Sequence, residues 1–356
     1  MSLDDIKTYT TYDKQEVSFG VEHMPEQIRV SWEGLDMIKM PTSYKKAANV
    51  VILGMGGSTL APQMIHGAFL DKIKVPLEVV RDYRVPASVT KKSLLILSSF
   101  SGTTEEVLAA AKDAKKRGLK MAVIAAGGPL LAFAKRNKLP YFTFDPSELA
   151  KTPRLGVGFS LVGILGLLRE AKILSFTASD SKRMMAAMAD VIDTCSLDVD
   201  SNENPAKIVA KECAGRPLLL IAAEHLVGNA HAFQNQVNET AKQICHYDVL
   251  PELNHHRLEG LTNPKGAFKG YTVLMLRSGL YHSRNQLRFD LTADVFEQLG
   301  AKVIDYNCGG GSRLEEVSEL LQFGSFVSYY MSMLNKIDGP EKTPYVDWFK
   351  KKLSKR

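Results

Sequence analysis

The sequence predicts an α/β protein of two tandem αβα halves, each a mostly parallel, doubly wound sheet flanked by helices. Short continuous apolar runs, such as NVVIL (49–53), Leu94–Leu97 and LLLIAA (218–223), suit strands buried on both faces. Helical spacing alternates with these runs, and the connections are short and marked by Gly or Pro, as in βα units. The rhythm starts afresh near Leu218, and 356 residues is long for a single core.

Residues 1–46 read as a helical preface, since EHMPEQIRVSWEGLDMI places apolar residues at helical spacing. Asn49–Leu53 is the first strand. It feeds Gly54-Met55-Gly56-Gly57-Ser58 and a helix from about Leu60. Pro76–Val80 is the second strand and Leu94–Leu97 the third, followed by a helix over Glu105–Arg117 that Gly118 stops. Met121–Ala126 and Pro140–Phe144 complete the first sheet, with a helix opened by GGPL between them. Asp145–Arg154 reads as a connector. Phe159–Ala171 and Ser181–Thr194 are helical, and SNENP leads to another helix from Pro205. The second alternating set has strands at Leu218–Ala223, Tyr271–Leu276 and Ala301–Tyr306, with helices over Leu226–Lys242 and Asn285–Leu299. A long helix over Arg313–Asn335 carries Leu314, Val317, Leu321, Val327, Met331 and Leu334 near one stripe. A short helix from Tyr345 ends the chain.

Composition narrows the function. Hydrophobic residues make up 45% and charged residues 24%, the balance of an ordinary water-soluble globular chain. A formal net charge of +6 suits the steering of a small anionic substrate. No basic stripe interleaves with aromatics, so nucleic acid is not an expected partner. The closing KKKLSKR reads as a solvated helix end. Cys195, Cys213, Cys245 and Cys308 lie far apart without a CxxC, which argues against structural zinc or a disulfide framework and fits a reducing cytoplasm. The opening MSLDDIKTYTTYDKQ is unlike a signal peptide. The longest nearly apolar run, Leu155–Leu168, falls short of the ~18–20 residues of a membrane span.

Four stretches could carry chemistry. In LLILSSFSGTTEEVL (94–108) a strand, a hydroxyl-rich turn and a helix start follow one another. Unpaired N–H groups and the positive end of a helix dipole favour an anion there, and the hydroxyls could complete a phosphate shell. The plainer reading is a capping turn, with Ser101 or Thr103 as N-cap. GMGGS allows close backbone approach to a ligand, but its order is not that of the dinucleotide fingerprint. Both loops follow strands of one parallel sheet, so both face the edge where strand carboxyl ends open a crevice. In NQVNETAK (235–242) and PELNHH (251–256), Glu239 and a His in a polar loop could form an acid/base pair. Read plainly, they are a solvated helix-end Glu and surface histidines, and the His255-His256 pair lacks a third metal ligand at a helpful spacing. Arg154, where the halves join, could clamp an anionic intermediate or pair with a surface acid.

In their order, GMGGS, SFSGTTEE, the Pro-Arg near the midpoint, NQVNETAK, PELNHHRLEG and the terminal TP…VDWFKKKL resemble the bifunctional phosphoglucose/phosphomannose isomerases, built from two sugar isomerase (SIS) domains. The resemblance runs from about residue 20 to the C-terminus. It implies a first SIS domain over 47–152 and a second over 153–356, whose C-terminal helix returns to the active site. It implies that Ser99, Ser101 and Thr104, with the backbone of Gly102 and Thr103, hold a sugar 6-phosphate. Gly56, Gly57 and Ser58 would line the sugar. Glu239 would be the base between C1 and C2. His255 would open the ring with help from Lys350, Arg154 would stabilise the cis-enediolate, and Thr343 would stand beside C2. The implied activity is metal-independent aldose–ketose isomerisation of glucose 6-phosphate and mannose 6-phosphate with fructose 6-phosphate, without a cofactor. The implied assembly is a homodimer with His255 contributed across the interface. The family usually reads PELNHN with an acid next, whereas His256 and Arg257 follow here. Two alternatives remain open: a non-catalytic phosphosugar-binding SIS protein, and another SIS-domain sugar-phosphate isomerase.

Overall fold

A computed structural model describes residues 2–150 and 152–353. One residue of the connector and the last three of the basic tail therefore lie outside the described residues. The preface forms three helices, α1 (Ile6–Tyr12), α2 (Val17–Glu22) and α3 (Met24–Glu33). The first sheet contains β1 (Val50–Gly54), β2 (Leu77–Val80), β3 (Leu94–Ser98), β4 (Lys120–Ile124) and β5 (Tyr141–Phe142). Its order is β2-β1-β3-β4-β5 and every pairing is parallel. The second sheet contains β6 (Leu218–Ala223), β7 (Cys245–Leu250), β8 (Thr272–Ser278) and β9 (Lys302–Cys308). Its order, β7-β6-β8-β9, repeats the same winding, again all parallel.

The apolar runs explain the layers. Along β1 and β3, Val50, Ile52, Leu94 and Ile96 point to one face. Val51, Leu53, Leu95 and Leu97 point to the other, as the two-residue period of a strand requires. The second face is covered by α5 (Glu105–Lys116) and α6 (Gly128–Arg136), through Val107, Ala110, Ala114, Leu130 and Ala134. The first face is covered by α4 (Leu60–Ala68) and α7 (Val157–Glu170). That layer is continuous with the preface and with the core of the second half. Each fully buried Val, Leu or Ile contributes roughly 1.5–3 kcal/mol, so this shared layer holds the halves together.

The second half is flanked by α8 (Ala178–Cys195), α9 (Pro205–Cys213), α10 (Val227–Gln236), α11 (Leu253–Gly260), α12 (Ser283–Gln298) and α13 (Arg313–Leu334). Helix α14 (Pro344–Leu353) follows. Helices α4 and α10 succeed the leading strands of their halves and pack together. His231 Nδ1 donates to Gln63 Oε1 at 2.6 Å between them. Each residue is equally far from the start of its leading strand, Val50 and Leu218, so like positions of the two halves bond to each other.

Three local expectations are corrected. CHYDVL forms β7, an edge strand whose middle residues are only partly covered, so no apolar run announces it. The expected polar loop at PELNHH is α11, which buries only Leu253 and therefore shows no apolar stripe. Helix α13 is buried around its whole girth rather than along one stripe. Its buried Ser318, Ser325, Ser328 and Ser332 donate to carbonyls three or four residues earlier, which satisfies these donors within the helix. No helix of the described residues is long and apolar enough to cross a membrane.

Candidate active site

A cleft of about 600 Å³ opens where the carboxyl ends of β1 and β3 meet residues 152–154, the end of α10 and the C-terminal segment. Gly56, Gly57, Ser58, Ser101, Thr103, Thr104, Arg154, Glu239, Thr343 and Lys350 all line it. Segments separated by most of the chain are thus brought to one edge of the first sheet, as doubly wound topology favours. In the second half the like corner is filled. Glu316 Oε2 accepts from His225 Nε2 and Ser278 Oγ, both at 2.6 Å, and all three residues are buried.

The hydroxyl-rich turn is held from behind. Ser98 Oγ donates to Ser58 O, and the Phe100 amide donates to Ser58 Oγ, both at 3.0 Å, tying the turn to the GMGGS loop. Ser99 is buried beneath it; its hydroxyl pairs with Thr104 Oγ1 at 2.8 Å and accepts from the Gly102 amide. Ser101 pairs with Thr103 at 2.7 Å. Gly102 has φ +71°, and a Cβ there would stand 2.0 Å from Gly127 O. The N-cap is Thr104, not Ser101 or Thr103, and no side chain caps the α5 N-terminus. The turn therefore does not do what the capping reading expects, and the first amide donors of α5 are left without a side-chain cap. Gly57 packs on Pro153, where a Cβ would come within 3.2 Å of the Pro153 backbone.

The NQVNETAK stretch ends α10 in a π-helical turn, Val237–Ala241, closed by Lys242 in the left-handed region at φ 51°. Such wide turns recur at functional sites, and the predicted single helix to Lys242 is corrected accordingly. Each polar residue has its own task. Asn235 lines the cleft. Gln236 Nε2 donates to Ser325 Oγ at 2.8 Å and to Arg154 O at 3.3 Å. Asn238 exchanges two hydrogen bonds with the Cys245 backbone at the start of β7. Arg154, 3% exposed, donates to Glu239 Oε2 at 3.1 Å, Thr240 Oγ1 at 2.9 Å and Pro340 O at 2.6 Å. Burial lowers its pKa from the ordinary value while Glu239 and Glu341 oppose this; an arginine so placed is still a cation. Glu239 is bonded through one oxygen and stands half in the cleft.

The C-terminal segment completes the wall. Thr343 precedes α14, whose Lys350 also faces the cleft, and no side chain of α14 is buried. Sequence reasoning missed two residues here. Glu341 lines the cleft with its Oε2 buried and unpartnered. Lys242 Nζ donates to Pro340 O at 3.2 Å, to Lys342 O at 2.6 Å and to Glu239 O. Loss of solvent and the neighbouring Arg154 push the Lys242 pKa down to about 8, against the pull of Glu239 and Glu341. Lys242 closes the NQVNETAK stretch, but only its neighbours in space show what it bonds. His255 does not reach this cleft: it is exposed on α11, in the second half. Among the described residues no group of three or more His, Cys, Asp or Glu is placed to hold a metal ion.

Residues 202–353 match the bacterial phospho-glucose isomerase C-terminal SIS domain. The chain is 31% identical to the bifunctional phosphoglucose/phosphomannose isomerase of Caldicellulosiruptor bescii, over 94% of this chain and 98% of that protein. It is 28% identical to the protein of the same name from Aquifex aeolicus, over 91% and 94%. Among solved structures, a hypothetical protein from Thermus thermophilus superposes with a TM-score of 0.75 at 17% identity, covering 98% of this chain and 92% of that one. The last of these bears on the fold alone.

Proposed function

From the premise that this chain belongs to the family of bifunctional phosphoglucose/phosphomannose isomerases, we propose that it interconverts fructose 6-phosphate with glucose 6-phosphate and mannose 6-phosphate through a cis-enediolate. The observation that carries this reading is the pairing of Arg154 with Glu239 in the same cleft as the uncapped hydroxyl turn.

The 6-phosphate sits on the α5 N-terminus, taking hydrogen bonds from Ser101, Thr104 and the turn amides, with Ser99 and Gly102 shaping the turn from beneath. Gly56, Gly57 and Ser58 line the sugar. Binding energy at the phosphate positions C1 and C2 against Glu239. Glu239 takes the proton from one carbon and returns it to the other, while the hydroxyl proton passes between O1 and O2. The Arg154 cation stabilises the oxyanion that develops. Thr343 stands beside C2, and its small side chain admits either epimer. Lys350 assists ring opening. His255 belongs to the neighbouring subunit's site, so the working unit is a homodimer with composite sites.

The test is purified protein with fructose 6-phosphate in the presence of EDTA. Both glucose 6-phosphate and mannose 6-phosphate are expected. Formation of neither overturns the isomerase reading; glucose 6-phosphate alone overturns only the role of Thr343.

A further inference from the structure

The C-terminal segment poses a packing problem. Helix α14 supplies Lys350 to the cleft and is preceded by Thr343, yet it buries no side chain of its own. Tyr345, Trp348 and Phe349 are all exposed. A helix with so little buried apolar area is not held in place by hydrophobic contact. The strap before it is held by hydrogen bonds. Pro340 O accepts from Arg154 Nη2 and from Lys242 Nζ, and Lys342 O accepts from Lys242 Nζ. The same ammonium also donates to Glu239 O. All three of its donors therefore go to backbone carbonyls: one on the turn that carries the base, two on the strap that leads to Thr343.

We propose that Lys242 is a positioning residue for the reaction, a clamp that locks the strap 340–342, and with it Thr343 and Lys350, to the backbone of Glu239. It touches no substrate; it sets the distance between the base and the groups beside C2 and the ring oxygen. A side chain joining two wall segments does this without apolar packing, because carbonyls accept strongly from an ammonium. Arginine carries the same charge and several donors, so Lys242→Arg retains much of the clamp. Glutamine keeps two neutral donors, and methionine keeps only the length. The role of the clamp in turnover rests on the isomerase reading; the clamp itself does not.

Two measurements on the full-length protein decide the matter. The first needs no substrate: limited chymotrypsin digestion, following cleavage at Tyr345, Trp348 and Phe349. Lys242→Met is expected to be cut in α14 about tenfold faster than the parent protein, Lys242→Gln at an intermediate rate, and Lys242→Arg nearly as slowly as the parent. The second is the ratio of glucose to mannose 6-phosphate formed from fructose 6-phosphate, which a mere loss of folded protein cannot move. Lys242→Met is expected to change it at least about threefold, with Lys242→Arg restoring it. Should the methionine variant fail to fold, the glutamine variant decides both readings. Unchanged cleavage in a folded variant overturns the clamp, and faster cleavage with an unchanged ratio overturns its positioning role. If the parent protein makes neither product, the isomerase reading fails while the digestion still decides the clamp.

Discussion

Arg154 and Glu239, 85 residues apart in the chain, meet at 3.1 Å, the guanidinium buried and the carboxylate half open to the cleft. The asymmetry matters. A buried arginine needs its partners more than an exposed carboxylate does, so Arg154 is fixed by Thr240, Glu239 and Pro340 at once. Glu239 is oriented by the one bond, made through Oε2.

Glu239→Gln preserves that bond, because an amide oxygen still accepts from Arg154, but it removes the proposed base. Turnover of fructose 6-phosphate is expected to fall by about a thousandfold, while calorimetric affinity for the sugar phosphate stays within about threefold. Residual activity near that of the parent would falsify the assignment of the base.

Arg154→Met leaves Thr240 and Glu239 without their donor, and Pro340 O with Lys242 alone. A loss of roughly 2–4 kcal/mol in urea unfolding is expected, since paired polar groups are left behind in a covered site. Arg154→Lys should recover little of it, because one ammonium cannot reproduce the fork of a guanidinium.

Gly102→Ala tests the hydroxyl turn. The backbone there is left-handed and the added methyl would collide with Gly127 O. A cost of about 1–3 kcal/mol in stability follows from the strained conformation. Affinity for fructose 6-phosphate measured by calorimetry should drop at least tenfold; unchanged affinity would remove the turn from the phosphate site.

His231 gives the acid sensitivity of the joint between the halves. Burial, with Arg81 nearby, pushes its pKa down to about 4 from about 6.5. The folded protein thus binds fewer protons there than the unfolded chain. The stability this contributes is whole above pH 6.5 and is lost as pH falls towards 4, on the order of 3 kcal/mol at most. His231→Gln can still bond Gln63 but cannot titrate. Its unfolding midpoint on acidification should lie at lower pH than that of the parent, with stability at pH 7.5 little changed.

The sequence by itself determined the layers and the winding, because a strand buried on both faces must be apolar throughout and such runs stand out. Leu218–Ala223 shows this: the expected and observed strands coincide. The hydroxyl turn and GMGGS were legible as partners for the same reason, since they follow strands of one parallel sheet. Edge strand β7 and helix α11 were not, because each buries too little to leave a periodic trace. Only the tertiary structure decided which residues share the cleft. Arg154, Glu239, Lys242 and the strap 340–342 come from three separate stretches, and carbonyl oxygens of the strap bind all three together. Backbone acceptors have no side-chain identity, so a string of residue types cannot show where an arginine or a lysine will find them. The same holds for Glu341, whose place in the cleft depends on the path of the strap and on nothing in its neighbours along the chain.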